Sequence, residues 1–508
     1  MLRQSRFSSL HRFLLTVAAI VTFVPLKGQS GGLEVPDLGT VALGRGTAFA
    51  ARADNLSAFY YNPAGLSKSK GFNLLLSGNL VNLNVDYLRS GSYDPATNTS
   101  EPVEINGQLV GNPGRDYSNY DPFTAGDTPP PPFSSVSNES RIGPAPMIVF
   151  NWGDMLGVTG LSAAIGLIPP SSFGAPKYTE AGAQRYALRE ANFLIVYPGL
   201  GVSYAINRYF QVGAVFLSGI GIFEQSQAIR PLPQLNNTLD YNEDAKGDAS
   251  LKVEAKDLFM PTAIVGVLSH PIDWLEIGAA VKLPVKIEAR GNITYTAPDT
   301  DLANSALVPG EDKVTLKQNF PWVVRLGARY IHQVFDVEAD FVWENWSSLK
   351  EFEIDMEATL NEDATSENGA LSPMPDSAIP KKFRDTFSAR LGGDVEVWPK
   401  HLAVRAGGYY QSSAYPENYE TFSVDFPFAE QVGVGAGLTW HAFSFLDVNA
   451  GFLHVFQPDV KVIEGIVQQQ GMPFRPDAET EVSIGNTVNN GVYQVSMNIF
   501  GVSAEGHF

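Results

Sequence analysis

The sequence predicts an all-β fold: a 14-stranded antiparallel transmembrane β-barrel with an N-terminal plug in its lumen. Three observations carry this expectation: a secretory leader with no later apolar helix, long period-2 alternation, and a regular exchange of short and long connections. Of the 508 residues, 44% are hydrophobic and 18% charged, which is not a disordered composition. Gly is high, at 47 residues, for a helical protein. The chain has 35 Lys and Arg against 54 Asp and Glu, a formal charge of −19, with no basic run. Nucleic-acid binding, which draws on clustered Lys and Arg, is therefore not expected. The absence of cysteine excludes disulfides, thiol catalysis and Cys-ligated metal sites.

Residues 1–30 read as a signal peptide. Arg3, Arg6 and Arg12 make a basic start, and Phe13 to Val24 is an apolar stretch of 12 residues. Gly28 and Ser30 supply the small residues of a cleavage site near Ser30. The stretch is too short for a spanning helix. Its removal takes four basic residues and leaves 31 basic against 54 acidic. No later segment has 18 uninterrupted apolar residues, so a membrane-crossing chain would have to cross as strands.

The alternation is long. In Leu275–Arg290, the odd positions from Leu275 to Ala289 form one apolar face over 16 residues. Glu276, Lys282, Lys286, Glu288 and Arg290 stand on the other face. Phe335–Glu344 sets Phe335, Val337, Ala339, Phe341 and Trp343 against Asp336, Glu338, Asp340 and Glu344. Val324–Tyr330 and Phe387–Val397 repeat the pattern, with Arg325, Arg329, Arg390 and Asp394 on the polar face. Soluble strands usually run about 5–6 residues. A tilted membrane strand needs about 9–11.

Short turns fall at Asn151–Met155, Ile206–Tyr209, His270–Asp273, Tyr330–Gln333, Trp398–His401 and His441–Ser444. Longer, mostly polar stretches lie at about 89–143, 169–184, 225–257, 296–313, 354–382, 414–428 and 458–489. Six short and seven long connections join 14 strands, and the even count puts both ends in the periplasm. The barrel accordingly spans 72–508 and the plug 31–71. A barrel this wide cannot fill its lumen with its own side chains. The chain ends in Phe508, on one face with Phe500, Val502, Ala504 and Gly506. A terminal aromatic resembles the signal that barrel-assembly machinery reads.

Residues 31–71 do not alternate, and they contain Leu43-Gly44-Arg45-Gly46, Asp54-Asn55 and Asn62-Pro63-Ala64-Gly65. This segment resembles the hatch of the FadL-like family, outer-membrane transporters of long-chain fatty acids and other hydrophobic compounds, toluene among them. Gly199 to Tyr204 with Ile206-Asn207, Phe320-Pro321-Trp322, Trp343 to Trp346 and Phe383-Arg384-Asp385 extend the resemblance over most of the mature chain. It implies passive transport in the bacterial outer membrane, without cofactor or metal and without catalysis. It also implies that ligand leaves sideways, through a gap where the third strand is kinked. Here Pro169-Pro170 and Phe173-Gly174 provide such a break, since proline donates no backbone bond and glycine admits a bulge. The Asn62–Ala64 turn would cover the groups left unpaired there. For a ligand head group the candidates are Lys381, Lys382 and Arg384, a dense basic cluster, with the inward-phase Arg325 and Arg390. The inward arginines, Arg325, Arg329, Arg390 and Arg405, are otherwise expected to pair with Asp336, Glu338, Asp340 or Asp394. The family's basic residue near the outer end of the fifth strand is missing: Glu224-Gln225-Ser226-Gln227 stands there. A neutral aromatic hydrocarbon is thus as well accommodated as a fatty acid. The alternative is a structural or adhesin-type barrel with large outer loops.

No enzyme signature stands out. There is no His-Glu-x-x-His, no Gly-x-Ser-x-Gly and no complete dinucleotide loop. Asp240 to Asp244 faintly resembles a calcium loop but lacks its glycine and final glutamate. The break at the third strand gives a direct expectation: Gly174→Trp abolishes uptake of hydrophobic substrate while heat-shift gels still show a folded barrel. Unchanged uptake by that variant would exclude an opening at this strand.

Overall fold

The computed structural model describes residues 39–90, 103–105, 108–110, 135–139, 142–168, 177–229, 248–296, 313–357, 359–361, 371–373, 377–467 and 487–508. Residues 1–30, expected as a signal peptide, lie outside them, as do residues 31–38, 129–132 and 240–244.

The wall is a closed antiparallel barrel of 14 strands. These are β1 (Gly71–Arg89), β2 (Ile142–Gly153), β3 (Leu161–Ile168), β4 (Glu190–Asn207), β5 (Phe210–Ile229) and β6 (Ala249–Ile272). Then come β7 (Leu275–Lys282 and Val285–Thr296), β8 (Lys313–Phe320 and Val323–Ile331) and β9 (Phe335–Glu344 and Glu351–Glu357). The last are β10 (Ser377–Pro380 and Thr386–Trp398), β11 (Leu402–Gln411), β12 (Gln431–Phe443), β13 (Leu446–Phe456 and Val460–Val462) and β14 (Gly491–His507). Closure is by β1 against β14, from Asn73↔His507 to Arg89↔Gly491. Closing the sheet removes the unpaired edges that the bilayer would not tolerate. An aromatic band marks the short-turn end. Trp274 tilts against Tyr330 at 5.9 Å, Phe72 stacks on Trp152 at 5.5 Å, and Phe443 stacks on Phe445 at 5.4 Å.

The expected strand boundaries need two corrections. The stretch 225–257 is shorter as a connection, because β5 runs to Ile229 and β6 begins at Ala249. Leu275–Arg290 is not one uninterrupted strand. β7 breaks at Leu283-Pro284, and its phase inverts there. Below the break Glu276, Ala280 and Lys282 are buried and Ile277 faces out. Above it Val285, Ile287 and Ala289 are buried while Lys286, Glu288 and Arg290 are exposed. Pro284 has no N–H to give a ladder, and the three-residue step between the inward Lys282 and Val285 turns the apolar face inward. The unbroken alternation in the sequence thus belongs to two environments. Apolar residues face lipid in the lower part and the lumen in the upper part, where the outer surface is wet. The registers Lys282↔Val323, Val323↔Glu344 and Glu344↔Thr386 put the breaks of β7, β8, β9 and β10 side by side. Between β6 and β7 the ladder stops at Ile264↔Lys282 and resumes at Lys256↔Arg290. Side chains bridge this gap: Asp257 accepts from Glu288 N at 2.8 Å, and Thr262 donates to Leu283 O at 2.8 Å.

Residues 39–70 run inside the wall. They form two short α-helices, α1 (Thr40–Gly44) and α2 (Ala58–Tyr61), and a 3-10 turn at Pro63–Lys68. Their close approach depends on inward glycines. A Cβ at Gly392 or Gly407 would overlap Arg45 O, one at Gly435 would overlap Leu43 O, and one at Gly451 would overlap Thr40 O. Gly278 lies against Ala50 O, and Gly213 against Pro63. Several of these stand directly opposite each other, as Gly213↔Gly266, Gly278↔Gly327, Gly392↔Gly407 and Gly407↔Gly435. Gly407→Leu therefore displaces the inner segment at about 1–3 kcal/mol of overpacking while leaving the wall paired. The expected signature is a barrel of normal heat-shift mobility with raised single-channel ion conductance.

Candidate functional site

The inner segment is fastened to one side of the lumen by carboxylates. Asp340 on β9 accepts the backbone N–H of Phe49 at 2.8 Å and of Ala50 at 2.9 Å. Glu338, two residues along the same face, accepts from Ala51 at 2.7 Å and Arg52 at 3.1 Å. Arg45 reaches Asp394 at 2.5 Å, Asp336 at 2.8 Å and Glu338 at 3.1 Å. Arg52 reaches Asp394 at 2.8 Å. Arg45 and Glu338 have no solvent exposure at all. Charged hydrogen bonds of this kind are shorter and stronger than neutral ones. The expected wall partners also take part: Arg329 meets Asp336 at 3.1 Å, and Arg405 meets Asp394 at 3.1 Å. Arg45, Arg52 and the four donating amides were not foreseen as partners. The signal lay in the segment 31–71, whose two arginines stand among small residues.

Asn62 terminates α2 and starts the 3-10 turn. Its side-chain nitrogen donates to Ala50 O at 2.8 Å and Val267 O at 3.0 Å, and its oxygen accepts from Ala64 N at 3.3 Å. Pro63 follows where a helix start tolerates a missing donor. Pro63 and Ala64 pack on Gly213, and Gly65 packs on Ala53 O. The turn thus sits against β5 and β6. The contacts with β2 and β3 come instead from Leu66, whose carbonyl accepts from Ser162 at 3.1 Å and Asn151 at 3.4 Å. Phe59 packs over Gly166, Gly199 and Gly201 of β3 and β4. Pro169, Pro170, Phe173 and Gly174 lie outside the described residues.

The five cationic candidates do not converge. Arg325 lies over the rings of Tyr60 and Tyr61, at 4.7 and 5.8 Å. Arg390 donates to Ser388 at 3.0 Å and to Thr47 O at 3.4 Å. Lys381, Lys382 and Arg384 diverge to Asp425 at 2.7 Å, Glu420 at 2.8 Å and Glu417 at 3.2 Å. All three partners belong to residues 414–428. That stretch was expected as an outer polar loop. It folds inward instead, with Tyr415, Phe422, Val424 and Phe428 buried. Tyr415 donates to Phe426 O at 2.8 Å, and burial beside Asp425 pushes its hydroxyl well above the ordinary range.

Under this inward fold lies a small apolar cavity of about 40 Å³, which the alternation did not reveal. Phe193, Phe223, Leu251, Val253, Ile293, Leu316, Ile354, Met356 and Ile379 line it, with Gln225 and Gln227 as its polar side chains. Ile293 reaches it because of the inversion at Leu283-Pro284. Phe426 stacks on Phe193 at 5.8 Å and meets Phe352 edge-on at 5.1 Å. At the short-turn end a polar hollow of about 360 Å³ is lined by Arg52, Arg329, Asp394, Arg405, His441, Asp447 and Glu505, among others.

The model of the outer membrane transport protein family (OMPP1/FadL/TodX) matches residues 21–490. The chain belongs to this family. It is an outer-membrane protein that transports hydrophobic compounds. Solved structures of similar fold agree. A FadL homologue from Pseudomonas aeruginosa superposes with a TM-score of 0.70 at 15% identity, covering 94% of this chain and 100% of that one. The toluene transporters TbuX of Ralstonia pickettii and TodX of Pseudomonas putida each give 0.60 at 13% identity, covering 94% of this chain and 99% of theirs. No curated protein sequence matches the chain.

In this FadL/TodX-type barrel the carboxylate row, rather than the basic cluster, holds the inner segment. Glu338→Ala leaves the backbone amides of Ala51 and Arg52 without this acceptor and takes one of the three carboxylates from Arg45, all in a buried setting. Removing one partner of a buried pair costs about 3–5 kcal/mol. The expected outcome is a folded barrel in which residues 39–70 become accessible to protease added from the periplasmic side.

Proposed function

We propose that this barrel carries small neutral hydrophobic compounds, aromatic hydrocarbons above all, into the cell envelope by passive diffusion, with no catalytic step. The observation that carries the reading is the cavity of Phe193, Phe223 and Ile354, which has no charged residue in its lining. A pocket of this kind gains its affinity from apolar contact, and a few polar groups set orientation. Burying an unpaired carboxylate there would be costly. TodX and TbuX are toluene transporters, which agrees with such a ligand.

In this proposal residues 31–71 act as a hatch that blocks the straight path through the lumen. Ligand then leaves between β2 and β3, near Pro169 to Gly174. Two features of the described wall support that route. The β2–β3 ladder ends at Ile148↔Leu167. Above that point β2 carries Pro144 and Pro146, while its ladder to β1 continues past both. The donors missing at these prolines are therefore on the edge toward β3. Outer-membrane lipid receives the ligand. Phe508, 73% exposed at the end of β14, is open to recognition by the barrel-assembly machinery.

Uptake of radiolabelled toluene and oleate, in cells lacking their own transporter, tests this reading. The intact protein is expected to take up toluene faster than oleate, and a version without residues 31–66 is expected to admit small polar dyes as well. Uptake of neither compound by a folded barrel would overturn it.

A further inference from the structure

Lys381 is fully buried, and among the described residues its ammonium has one anionic contact, Asp425 Oδ2 at 2.7 Å. Asp425 in turn accepts from Phe426 N at 3.0 Å, so its position is set by the inward-folded stretch that carries it. The same ammonium lies 5.1 Å from the rings of Phe352 and Phe426. Phe426 stacks on Phe193 of the cavity wall, and Ile379, two residues before Lys381, also lines the cavity. A buried cation therefore stands one ring away from an apolar chamber, with its charge already matched. Lys382 and Arg384 are exposed by comparison and turn to Glu420 and Glu417.

We infer that Asp425 is a specificity-determining residue, which occupies Lys381 and so closes the chamber to carboxylates. This rests on the reading of the cavity as the transport chamber. A fatty acid entering the chamber has an anionic end that needs a cation or several donors. The available cation is taken by a side chain of the protein itself, held in place by its own backbone contact. An alcohol or hydrocarbon of the same length needs no such partner, and Gln225 and Gln227 offer amide groups to a hydroxyl or carbonyl. Asp425 discriminates by withholding a charge from the wrong ligand, which is how specificity against close analogues is often achieved. Asp425→Asn keeps the shape of the side chain and removes its charge. Lys381 is then left uncompensated, and a ligand carboxylate becomes its natural counter-ion.

The test compares binding of dodecan-1-ol, dodecanoate and toluene to the detergent-purified full chain at pH 8, by calorimetry, with folding checked by heat shift. The intact protein is expected to bind dodecan-1-ol at least tenfold more tightly than dodecanoate. In Asp425→Asn that ratio falls to one or reverses through a gain in dodecanoate affinity. The double variant Asp425→Asn with Lys381→Gln removes both charges, and is expected to restore the preference for the alcohol. A folded Asp425→Asn that still binds dodecan-1-ol but gains nothing for dodecanoate overturns the inference alone. So does an intact protein that binds dodecanoate as tightly as the alcohol and loses it in Lys381→Gln. Binding of none of the three probes by the intact protein overturns the transport reading and this inference with it.

Discussion

The structure depends on one buried ionic arrangement. Asp336, Glu338 and Asp340 on β9, with Asp394 on β10, place four carboxylates on the inner wall with little access to water. Desolvating such groups costs several kcal/mol each. A barrel alone does not compensate that cost on this side, because the wall cations Arg329 and Arg405 reach only Asp336 and Asp394 within this row, Arg329 turning also to Glu276. The inner segment supplies the rest through Arg45, Arg52 and the amides of residues 49–52. Wall and inner segment are therefore specified together. The inward glycines follow from the same constraint. The backbone of residues 40–51 must come within hydrogen-bonding distance of carboxylates on short side chains, and a Cβ on the facing strands would hold it away.

A second constraint is the length of the strands. β5 and β6, at 20 and 24 residues, far exceed the roughly 9–11 needed to cross the bilayer. Their upper parts stand in water, so the rule for which face is apolar reverses. β7 meets this by inverting its phase at Leu283-Pro284, and β8 breaks at Pro321-Trp322 beside it. The reversal is what makes an apolar chamber inside an otherwise polar lumen. Val285, Ile287 and Ile293 would face water on the outer surface without it.

Much of the architecture was legible because barrel alternation and turn chemistry are local. Strand number, the six short turns and the inward phase of Arg325, Arg329, Arg390 and Arg405 all follow from a two-residue period. The chamber was not legible, because Leu275–Arg290 alternates without a visible interruption while its surroundings change halfway. A proline in the run was the one local hint. The fate of Lys381, Lys382 and Arg384 was hidden for a different reason. Their partners, Asp425, Glu420 and Glu417, are about 33–44 residues away in sequence, on a stretch whose inward fold is fixed by Tyr415, Phe422 and Phe426 rather than by periodicity. Basic residues adjacent in sequence need not share a site when each meets a separate acid. The acids on β9 were assigned to the correct face, but most of the partners described above came from the inner segment, which no alternation describes.

The two hollows bear on the proposed route in opposite ways. The upper one, bounded by Phe193, Phe223 and Ile354, gives a hydrocarbon the same gain as any apolar burial, about 25 cal/mol for each Å² removed from water. The lower one is lined by Arg52, Arg329, Asp394, Arg405 and His441, and would return that surface to a polar, hydrated space. A straight passage would therefore lose at its last step what the ligand gained at the first, and would also require the carboxylate row to release Arg45 and Arg52. A sideways passage between β2 and β3 transfers the ligand from one apolar medium to another. It leaves the ionic fastening of the inner segment in place and asks only that the wall lack a continuous ladder there, as the prolines of β2 permit. Under the proposed function, the lateral path is the one favoured on free energy for a hydrophobic cargo, before any motion of the protein is considered.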